Sequence, residues 1–365
     1  MSLDSRVAAL DGLLEEAGLD AVLATKDASI AYLTGFWGLQ MERFFGVVVK
    51  RGGTGALIAP TLDRESVNAA ATKLDRALYN AATSNGLTEL ASILGDAPKR
   101  VGVEEDHLNF ARSHALQEAG YELVPATDVV MGLRAAKDAE EIEAVRRACT
   151  HIEAAYDELW AELVPGMTEA EINARVAFSL MRRGAKHPEP HILFGAHSAD
   201  GHGSPGERRL EVGDVVVADI AAQFADGYWG DLTRCATAGA PSDWAQRAWE
   251  VVHEAYVAAV DATRLGGTTR TVDAAQRAII EAHPEIGACL HGAGHAIGTE
   301  VHEPPFLIPT WDVDLVEGMI FTIEPGIYNS DVGGMRLEDD VAVGPDGPVM
   351  LSSHPLQLRV LGDPR

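Results

Sequence analysis

The stretch VVVADIAAQFADGYWGDLTRC, residues 215–235, predicts a β-hairpin that carries two carboxylates. Strand-forming residues lie on both sides of an Asp-Gly pair, and such a pair between two runs of this kind is a strong hairpin signal. Pairing the strands about Ala225 puts Asp219 and Asp231 roughly opposite each other, with Cα atoms about 5 Å apart. Two like charges this close on apolar strands repel each other unless a cation lies between them. The hairpin alone therefore leaves two interpretations open: a metal clamp between the carboxylates, or one aspartate that faces solvent.

Three histidines follow in a glycine-rich stretch, CLHGAGHAIGTEVHEPP at 289–305. They are His291, His295 and His302, and the glycines among them let the backbone approach a site closely. The first two have the i, i+4 spacing of a zinc-protease helix, but the glycines and the missing H-E-x-x-H pattern argue against one. A single histidine here would more often be structural, whereas three in this setting favour a functional site.

Two acidic residues follow apolar runs later in the sequence. Glu324 comes directly after the strand formers IFTI, and Pro-Gly turns the chain after it. Glu338 lies in GGMRLEDDVAV, where strand alternation puts Arg336 on the same face. Because an unpaired buried charge is very unfavourable, each carboxylate needs a partner. For Glu338 that partner is Arg336 or a metal ion; alternation turns Asp339 away, and Asp340 could join the same face.

Together these motifs supply carboxylates and one imidazole: Asp219, Asp231, His295, Glu324 and Glu338. An oxygen-rich set with a single nitrogen suits two divalent ions, Mn²⁺ first, with Co²⁺ or Zn²⁺ as alternatives. It does not suit a cysteine-rich structural zinc site. Two bridging carboxylates could hold the ions roughly 3.5 Å apart, the usual spacing of hydrolytic two-metal sites.

The composition of the 365-residue chain limits its partners and its location. With 29 Lys and Arg against 55 Asp and Glu, the net charge of −26 works against nucleic acid or an anionic membrane as partner. The 3 cysteines form no C-x-x-C pair, and neither a signal peptide nor a membrane-spanning run is visible. We therefore expect a cytoplasmic protein, and the length predicts two domains.

The predicted pattern of helices and strands changes near residue 135. The first part alternates helical stretches, near 62–74 and 109–119, with strand-like runs at 20–25, 44–50, 55–60, 100–105 and 121–126. This alternation predicts an α/β domain. The second part opens with a long amphipathic helix at 137–163 and a capping box from Thr168 to Glu171, followed by strands and helices near 243–264 and 271–282. We expect domains at 1–134 and 135–365.

The motifs GDLTR, HGAGHAIGTEVHE, TIEPGIY and GMRLEDD, in this order, resemble those of the pita-bread metallopeptidases. That family includes methionine aminopeptidase, prolidase and aminopeptidase P, with creatinase as a metal-free relative. Weaker likeness extends from AYLTGF through PGMTEAE. The resemblance implies a creatinase/prolidase-like α/β domain followed by an α+β pita-bread catalytic domain. The two-domain length is similar to that of prolidase or aminopeptidase P.

The resemblance also implies a role for each site residue. The metal ligands would be Asp219, Asp231, His295, Glu324 and Glu338, with Asp231 and Glu338 bridging. His302, Glu324 and His202 would take part in catalysis, with His302 bonding the substrate and His202 lining its pocket. The substrate would also meet His291, Arg336 and Tyr328. Cys235 replaces the usual threonine, and Ile-Ala-Ala follows Asp219 where the family usually has a glycine.

The implied activity is hydrolysis of the N-terminal Xaa-Pro bond of a peptide with proline at its second position. A hydroxide bridging two metal ions would attack the scissile carbonyl, Glu324 would pass on the proton, and His302 would stabilise the oxyanion. A homodimer is also expected. The alternatives are a creatinase-like, metal-independent C–N hydrolase and a non-catalytic pita-bread binding module. The complete ligand set favours the metal-dependent enzyme over both.

Overall fold

The computed structural model describes residues 1–96 and 99–362. The chain divides into two compact units, Met1–Arg134 and Ala135–Arg365. Within the described residues, every helix is too short or too polar to cross a lipid bilayer.

The first unit is a mixed six-stranded sheet with helices on both faces. Its strands are β1 Ala21–Ala24, β2 Gly46–Lys50, β3 Gly55–Pro60, β4 Asp75–Tyr79, β5 Arg100–Val103 and β6 Glu122–Pro125, in the order β4-β3-β2-β1-β5-β6. Its helices are α1 Leu3–Glu16, α2 Asp27–Thr34, α3 Arg64–Ala69, α4 Leu87–Leu94, α5 Phe110–Glu118 and α6 Thr127–Ala135. Successive β1 residues, such as Val22 and Leu23, point to opposite faces and enter separate apolar clusters, so both faces of the sheet are buried.

The five strands predicted for this unit are all present, but the helix expected at 62–74 is too long. A short 3-10 turn, Thr61–Asp63, leads into α3, which ends at Ala69. The unpredicted strand β4 follows, and it lies at an edge of the sheet. Its sequence, DRALY, is only partly buried, so its apolar pattern is weak.

The second unit packs helices against two larger sheets. Its helices are α7 Ala139–Glu162, α8 Glu169–Arg182, α9 Asp243–Ala262 and α10 Thr269–Ile280. Its strands are β7 His187–Phe194, β8 Val215–Gln223, β9 Trp229–Ala238, β10 Gly294–Ala296, β11 Glu303–Leu307, β12 Ile320–Ile323, β13 Gly326–Asn329, β14 Gly333–Arg336, β15 Asp339–Gly344, β16 Gly347–Met350 and β17 Arg359–Leu361. They form sheets β17-β9-β8-β7 and β11-β10-β12-β15-β16 and the pair β13-β14.

Capping boxes fix where the first two of these helices begin. Asp138 caps α7 together with Glu141, and the predicted box at the start of α8 is confirmed, with Thr168 accepting from the backbone N–H of Glu171. Each box satisfies N–H groups that a helix leaves free at its first turn.

The predicted register of the β8–β9 hairpin is wrong: the turn is centred one residue later than Ala225, so each residue pairs two positions further along the other strand. Asp219 lies opposite Thr233, and Asp231 lies opposite Ala221. The loop is longer than a two-residue turn, because Gly227 takes a left-handed conformation with φ 88° and its N–H donates to the carbonyl of Phe224. The shift amounts to two residues in the pairing, so both aspartates stay on one face of the sheet and are diagonal neighbours.

That face points toward the second large sheet. Alternate β8 residues Val216 and Ala218 pack in a cluster with α7 and α8, whereas Val215 and Val217 pack in a cluster with α9 and Phe321 of β12. Asp219 continues the second series, since strand side chains alternate with a period of two. A bridge between Thr233 and Glu338 joins the hairpin to the segment before β15.

Candidate active site

Three buried side chains from separate parts of the second unit converge. They are Asp231 on β9, His295 on β10 and Glu338 just before β15. Each offers one ligand atom, and the three atoms lie within 4.8 Å of one another. The pleat of the hairpin and the bridge to residue 338 thus bring together groups that are far apart in sequence.

Hydrogen bonds hold the carboxylate of Glu338 and the backbone of Asp231. The hydroxyl of Thr233 donates to Oε2 of Glu338 over 2.6 Å, and the backbone N–H of Asp231 donates to Oδ2 of Asp340 over 3.1 Å. Cys149 also donates to that Asp340 oxygen, at 3.2 Å. Asp340, which could have joined the cluster, therefore lies behind Asp231 and holds its backbone.

The imidazole of His295 is held so that one nitrogen faces the cluster. Its Nδ1 lies 3.1 Å from the carbonyl oxygen of Ala296, which can only accept, so Nδ1 carries the proton. Its backbone N–H donates to the hydroxyl of Thr322 over 3.1 Å. The unprotonated Nε2 lies 3.7 Å from Oε1 of Glu324, and burial lowers the pKa of the imidazole. This neutral Nε2 has the form of a metal ligand.

The electrostatics of the cluster favour a bound cation. Burial raises the pKa of both Asp231 and Glu338 well above the ordinary carboxyl range. The charges of Glu338 and Asp219 add to this at Asp231, and the charges of Glu324 and Asp219 add to it at Glu338. Within the described part of the chain, Oδ1 of Asp231 is buried without a hydrogen-bond partner. A divalent ion would satisfy this oxygen and neutralise the like charges, and oxygen-rich donors with one imidazole suit Mn²⁺ or a similar ion. The residues present therefore fit a metal centre.

Glu324 and His302 lie beside the cluster on the histidine side. Burial alone would raise the pKa of Glu324, but the nearby His291, His295 and Arg336 outweigh it and hold this pKa below its ordinary value. The ring of His302 lies against that of His295, with centroids 3.9 Å apart. An ionised carboxylate and an exposed imidazole thus flank the same edge of the cluster.

Of the two partners considered for Glu338, Arg336 or a metal ion, the arginine forms its ion pair with Asp219 instead. Its Nη2 lies 2.5 Å from Oδ2 of Asp219, and its Nη1 donates to the hydroxyl of Tyr328 over 3.1 Å. Arg336 and Glu338 still meet at one hydroxyl, since Nε of Arg336 donates to Oγ1 of Thr233 over 3.0 Å and that hydroxyl donates to Glu338. The two carboxylates consequently have different partners, an arginine for one and a threonine hydroxyl for the other.

The remaining predicted residues lie on two sides. His291 bonds the hydroxyl of Tyr328 through Nε2 at 2.8 Å, which joins it to the arginine network. Burial raises the pKa of Tyr328 to about 12, against the charge and the hydrogen bond of Arg336, which lower it. His202 is exposed, and its backbone N–H lies 3.4 Å from Oδ1 of Asp200. Nine of the ten predicted site residues thus come together. Five line the cluster, namely Asp231, His295, Glu338, Glu324 and His302, and four form the network, namely Asp219, Arg336, Tyr328 and His291. The side chain of His202 is exposed, and a Cβ on the neighbouring Gly201 would lie 4.0 Å from Nη1 of Arg336.

Sequence reasoning missed several residues that hold the site. Thr233 carries a signal, because it alternates with Asp231 in GDLTR and faces the same side. Arg234 binds Asp339 and the carbonyl of Glu338, and no spacing rule connects these positions. Cys149 lies on α7, far away in sequence, so its bond to Asp340 has no sequence signal.

Comparison with known proteins decides the family. Residues 143–345 match the metallopeptidase family M24, and residues 6–136 match the creatinase/prolidase N-terminal domain. The chain belongs to metallopeptidase family M24. The predicted pita-bread metallopeptidase resemblance is confirmed, as is the expected combination of an α/β N-terminal domain with a pita-bread catalytic domain.

Proteins similar to this chain match it over nearly its full length. A probable dipeptidase PepE of Mycobacterium tuberculosis is 33% identical, over 98% of this chain and 96% of that protein. An Xaa-Pro dipeptidase of Pyrococcus furiosus is 30% identical, over 98% of this chain and 100% of that protein. The crystal structure of dipeptidase PepE from Mycobacterium ulcerans superposes with a TM-score of 0.90 at 33% identity, covering 98% of both chains. These matches confirm the prediction of a metallopeptidase.

Proposed function

We propose that this protein is an exopeptidase that hydrolyses the N-terminal Xaa-Pro bond of short peptides with bound divalent metal ions. The observation that supports it most directly is the buried Asp231–His295–Glu338 cluster, in which Oδ1 of Asp231 has no hydrogen-bond partner among the described residues. The substrate class is supported by the similar chain named Xaa-Pro dipeptidase.

The ligands of two ions would be the five residues that the motifs supply: Asp219, Asp231, His295, Glu324 and Glu338. Mn²⁺ is the proposed ion, and Co²⁺ or Zn²⁺ are the alternatives, because the set is rich in oxygen and has one nitrogen. When bound, such ions would supply Lewis-acid activation of water and of the scissile carbonyl. Asp219 also pairs with Arg336, which places a positive charge beside this proposed ligand.

The side chains around the cluster would handle protons and charge. Glu324 is ionised at neutral pH because its pKa is lowered, so it can accept a proton and pass it to the leaving nitrogen. His302 lies beside His295 on an exposed edge, where its ring N–H can donate to the carbonyl oxygen as negative charge develops.

Substrate orientation would rest on the polar network and on charge. The chain of contacts from His291 through Tyr328 to Arg336 offers hydrogen-bond groups next to Glu324. A free, positively charged amino terminus would be attracted to the acidic cluster, which favours cleavage after the first residue. Proline has no backbone N–H, so its recognition depends on the shape of the pocket. We also propose that His202 lines this pocket.

The proposal is tested by an assay with and without metal. The protein is treated with a chelator, reloaded with Mn²⁺, and offered an Xaa-Pro dipeptide, its Xaa-Ala counterpart, a longer Xaa-Pro peptide and creatine. We expect metal-dependent cleavage of the Xaa-Pro substrates, and His295→Ala should lose it. Arg175→Met, which removes an exposed ion pair with Glu162, is the matched control and should keep full activity. Failure to cleave any Xaa-Pro substrate contradicts the proposal.

The other assay outcomes identify the alternatives. Hydrolysis of creatine without metal would indicate a creatinase-like C–N hydrolase, and peptide binding without hydrolysis would indicate a binding module. The homodimer and the cytoplasmic location stay predictions, and sedimentation of the Mn²⁺-loaded protein checks the first of them.

A further inference from the structure

We propose that the buried ion pair between Lys137 and Glu303 positions His302 for the hydrolysis described above, an inference that rests on the proposed function. Nζ of Lys137 lies 3.0 Å from Oε2 of Glu303, and the two side chains are only 2% and 1% exposed. Burying two charges is unfavourable unless their geometry is specific and their remaining bonds are made. Such a pair therefore needs a structural reason, and the loop that ends in His302 supplies one.

Glu303 closes the loop that connects the two histidine positions. Its Oε1 accepts hydrogen bonds from the backbone N–H of Thr299 at 2.8 Å, from the hydroxyl of the same residue at 3.1 Å, and from the N–H of Glu300 at 3.1 Å. The loop runs from the end of β10, which carries His295, to His302 at the start of β11. One carboxylate thus sets the path of the backbone between the two imidazoles.

Lys137 ties this closed loop to the rest of the second unit. Its backbone N–H donates to the carbonyl of Gly318 over 2.8 Å, so its position is fixed near the start of β12. A Cβ added at Gly298 would lie 2.9 Å from Cε of Lys137 and 3.0 Å from both carboxylate oxygens of Glu303. The loop backbone therefore packs directly on the ion pair, and a side chain at this glycine would separate them.

The imidazole of His302 depends on this support. The side chain is exposed, so neighbouring groups do not enclose it, and its ring contact is with His295 at a centroid distance of 3.9 Å. The backbone on which it stands then decides where its ring lies. A displacement of about 1 Å of a catalytic group can lower the rate on the order of a hundredfold. Lys137 and Glu303 are positioning residues in this scheme, because they act through His302.

The first test breaks the pair with side chains of similar size. Lys137→Met and Glu303→Gln should each lower kcat on an Xaa-Pro dipeptide roughly tenfold to a hundredfold, with KM and the bound Mn²⁺ unchanged. The double variant K137M/E303Q leaves no unpaired buried charge, so it keeps the test valid if either single variant fails to fold. Arg175→Met is again the control, since it removes an exposed ion pair of the same length. Full kcat in the folded double variant overturns the proposal.

The second test asks whether the effect passes through His302. In a His302→Ala background, Lys137→Met should cause no further loss of kcat; losses that multiply would mean a general structural role and overturn the proposal. Histidine ring NMR signals of the Zn²⁺-loaded protein give a readout that needs no activity. The signal that His302→Ala removes should shift in Lys137→Met, and an unchanged signal also overturns the proposal. A wild-type protein that cleaves no Xaa-Pro substrate contradicts the proposed function, while this signal still decides the positioning role.

Discussion

Nη2 of Arg234 lies 2.7 Å from Oδ1 of Asp339, and both side chains are only 3% exposed. Each residue is the sequence neighbour of a partner in the Thr233–Glu338 contact, and Arg234 also donates to the carbonyl of Glu338 over 2.6 Å. The hydroxyl of Tyr256 donates to the other oxygen of Asp339 over 2.6 Å. This buried pair therefore fixes the segment on which Glu338 reaches the metal cluster.

Removing the arginine should destabilise the protein and loosen the cluster together. Arg234→Met leaves the carboxylate of Asp339 buried without its cation, so we expect the free energy of unfolding to fall by about 3–5 kcal/mol. Urea unfolding measures this loss, and a titration with Mn²⁺ should show weaker binding in the variant. Arg175→Met, at an exposed pair, should change stability by less than about 1 kcal/mol. Equal stability of the two variants would contradict the expectation.

The carboxylate of Glu338 should lower the stability of the metal-free protein and raise that of the Mn²⁺-loaded protein. In chelated protein, Glu338→Gln removes a carboxylate whose pKa is raised by burial and by its acidic neighbours, so the variant should be more stable than wild type at pH 8. The gain is at most about 1.4 kcal/mol for each unit by which pH 8 exceeds the ordinary carboxyl pKa. Mn²⁺ at a hundred times its Kd should stabilise wild type by about 2.7 kcal/mol, and the variant much less. Calorimetric melting with and without Mn²⁺ measures both effects. A chelated variant that melts below chelated wild type would contradict the predicted gain in stability.

Asp340 should make the stability of the chelated protein depend on pH. Burial raises the pKa of this carboxyl from 3.8 to about 8, against the bonds from Cys149 and Asp231 that lower it. Because the folded-state pKa lies above the unfolded one, its contribution to stability is complete below about pH 4 and is lost as pH rises through about 8. Stability should therefore fall across this range, by at most about 1.4 kcal/mol per pH unit from this group. Asp340→Asn should flatten the fall in urea unfolding series, and identical slopes would refute the assignment.

Gly294 should tolerate no side chain. Its φ is 151°, and an added Cβ would lie 1.9 Å from the carbonyl oxygen of Thr322 on the paired strand β12. Gly294→Ala must push β10 away and displace His295, so we expect a loss of at least about 2 kcal/mol together with weaker Mn²⁺ binding. Gly132→Ala in α6, where nothing lies within 4 Å, should instead stabilise by about 1 kcal/mol. Thermal melting compares the two variants. A Gly294→Ala variant that melts at the wild-type temperature would contradict the prediction.

Much of the fold could be predicted because its local signals are strong. The Asp-Gly pair predicts the hairpin, and the Thr168 box predicts the start of α8, since both depend on neighbouring residues. The hairpin register could not be predicted, because a left-handed Gly227 adds a residue to the loop and composition does not show which loop length is used. β4 escaped prediction for a different reason: an edge strand buries little and needs no regular apolar pattern.

The candidate site likewise has features that could be predicted from the sequence and features that could not. The types of ligand residue follow from charge and spacing, and the structure places Asp231, His295 and Glu338 together. The partners of these residues do not follow, because they come from elements far away in sequence. Arg336 of β14 binds Asp219 of β8, which lies in another sheet, and it meets Glu338 through the hydroxyl of Thr233. Contacts between separate sheets are set by tertiary packing, which periodicity cannot describe.

The Thr233–Glu338 bridge also determines when the metal cluster can exist during folding. Asp231 lies on one sheet, whereas His295 lies on the other and Glu338 arrives only near the end of the second unit. A nascent chain that stops before β10 has both hairpin aspartates but lacks His295. Contacts between such distant segments form late, because the loop entropy must be lost before they gain any free energy. Uptake of Mn²⁺ by the proposed centre should therefore follow the closure of the two sheets, and it would report that they have come together.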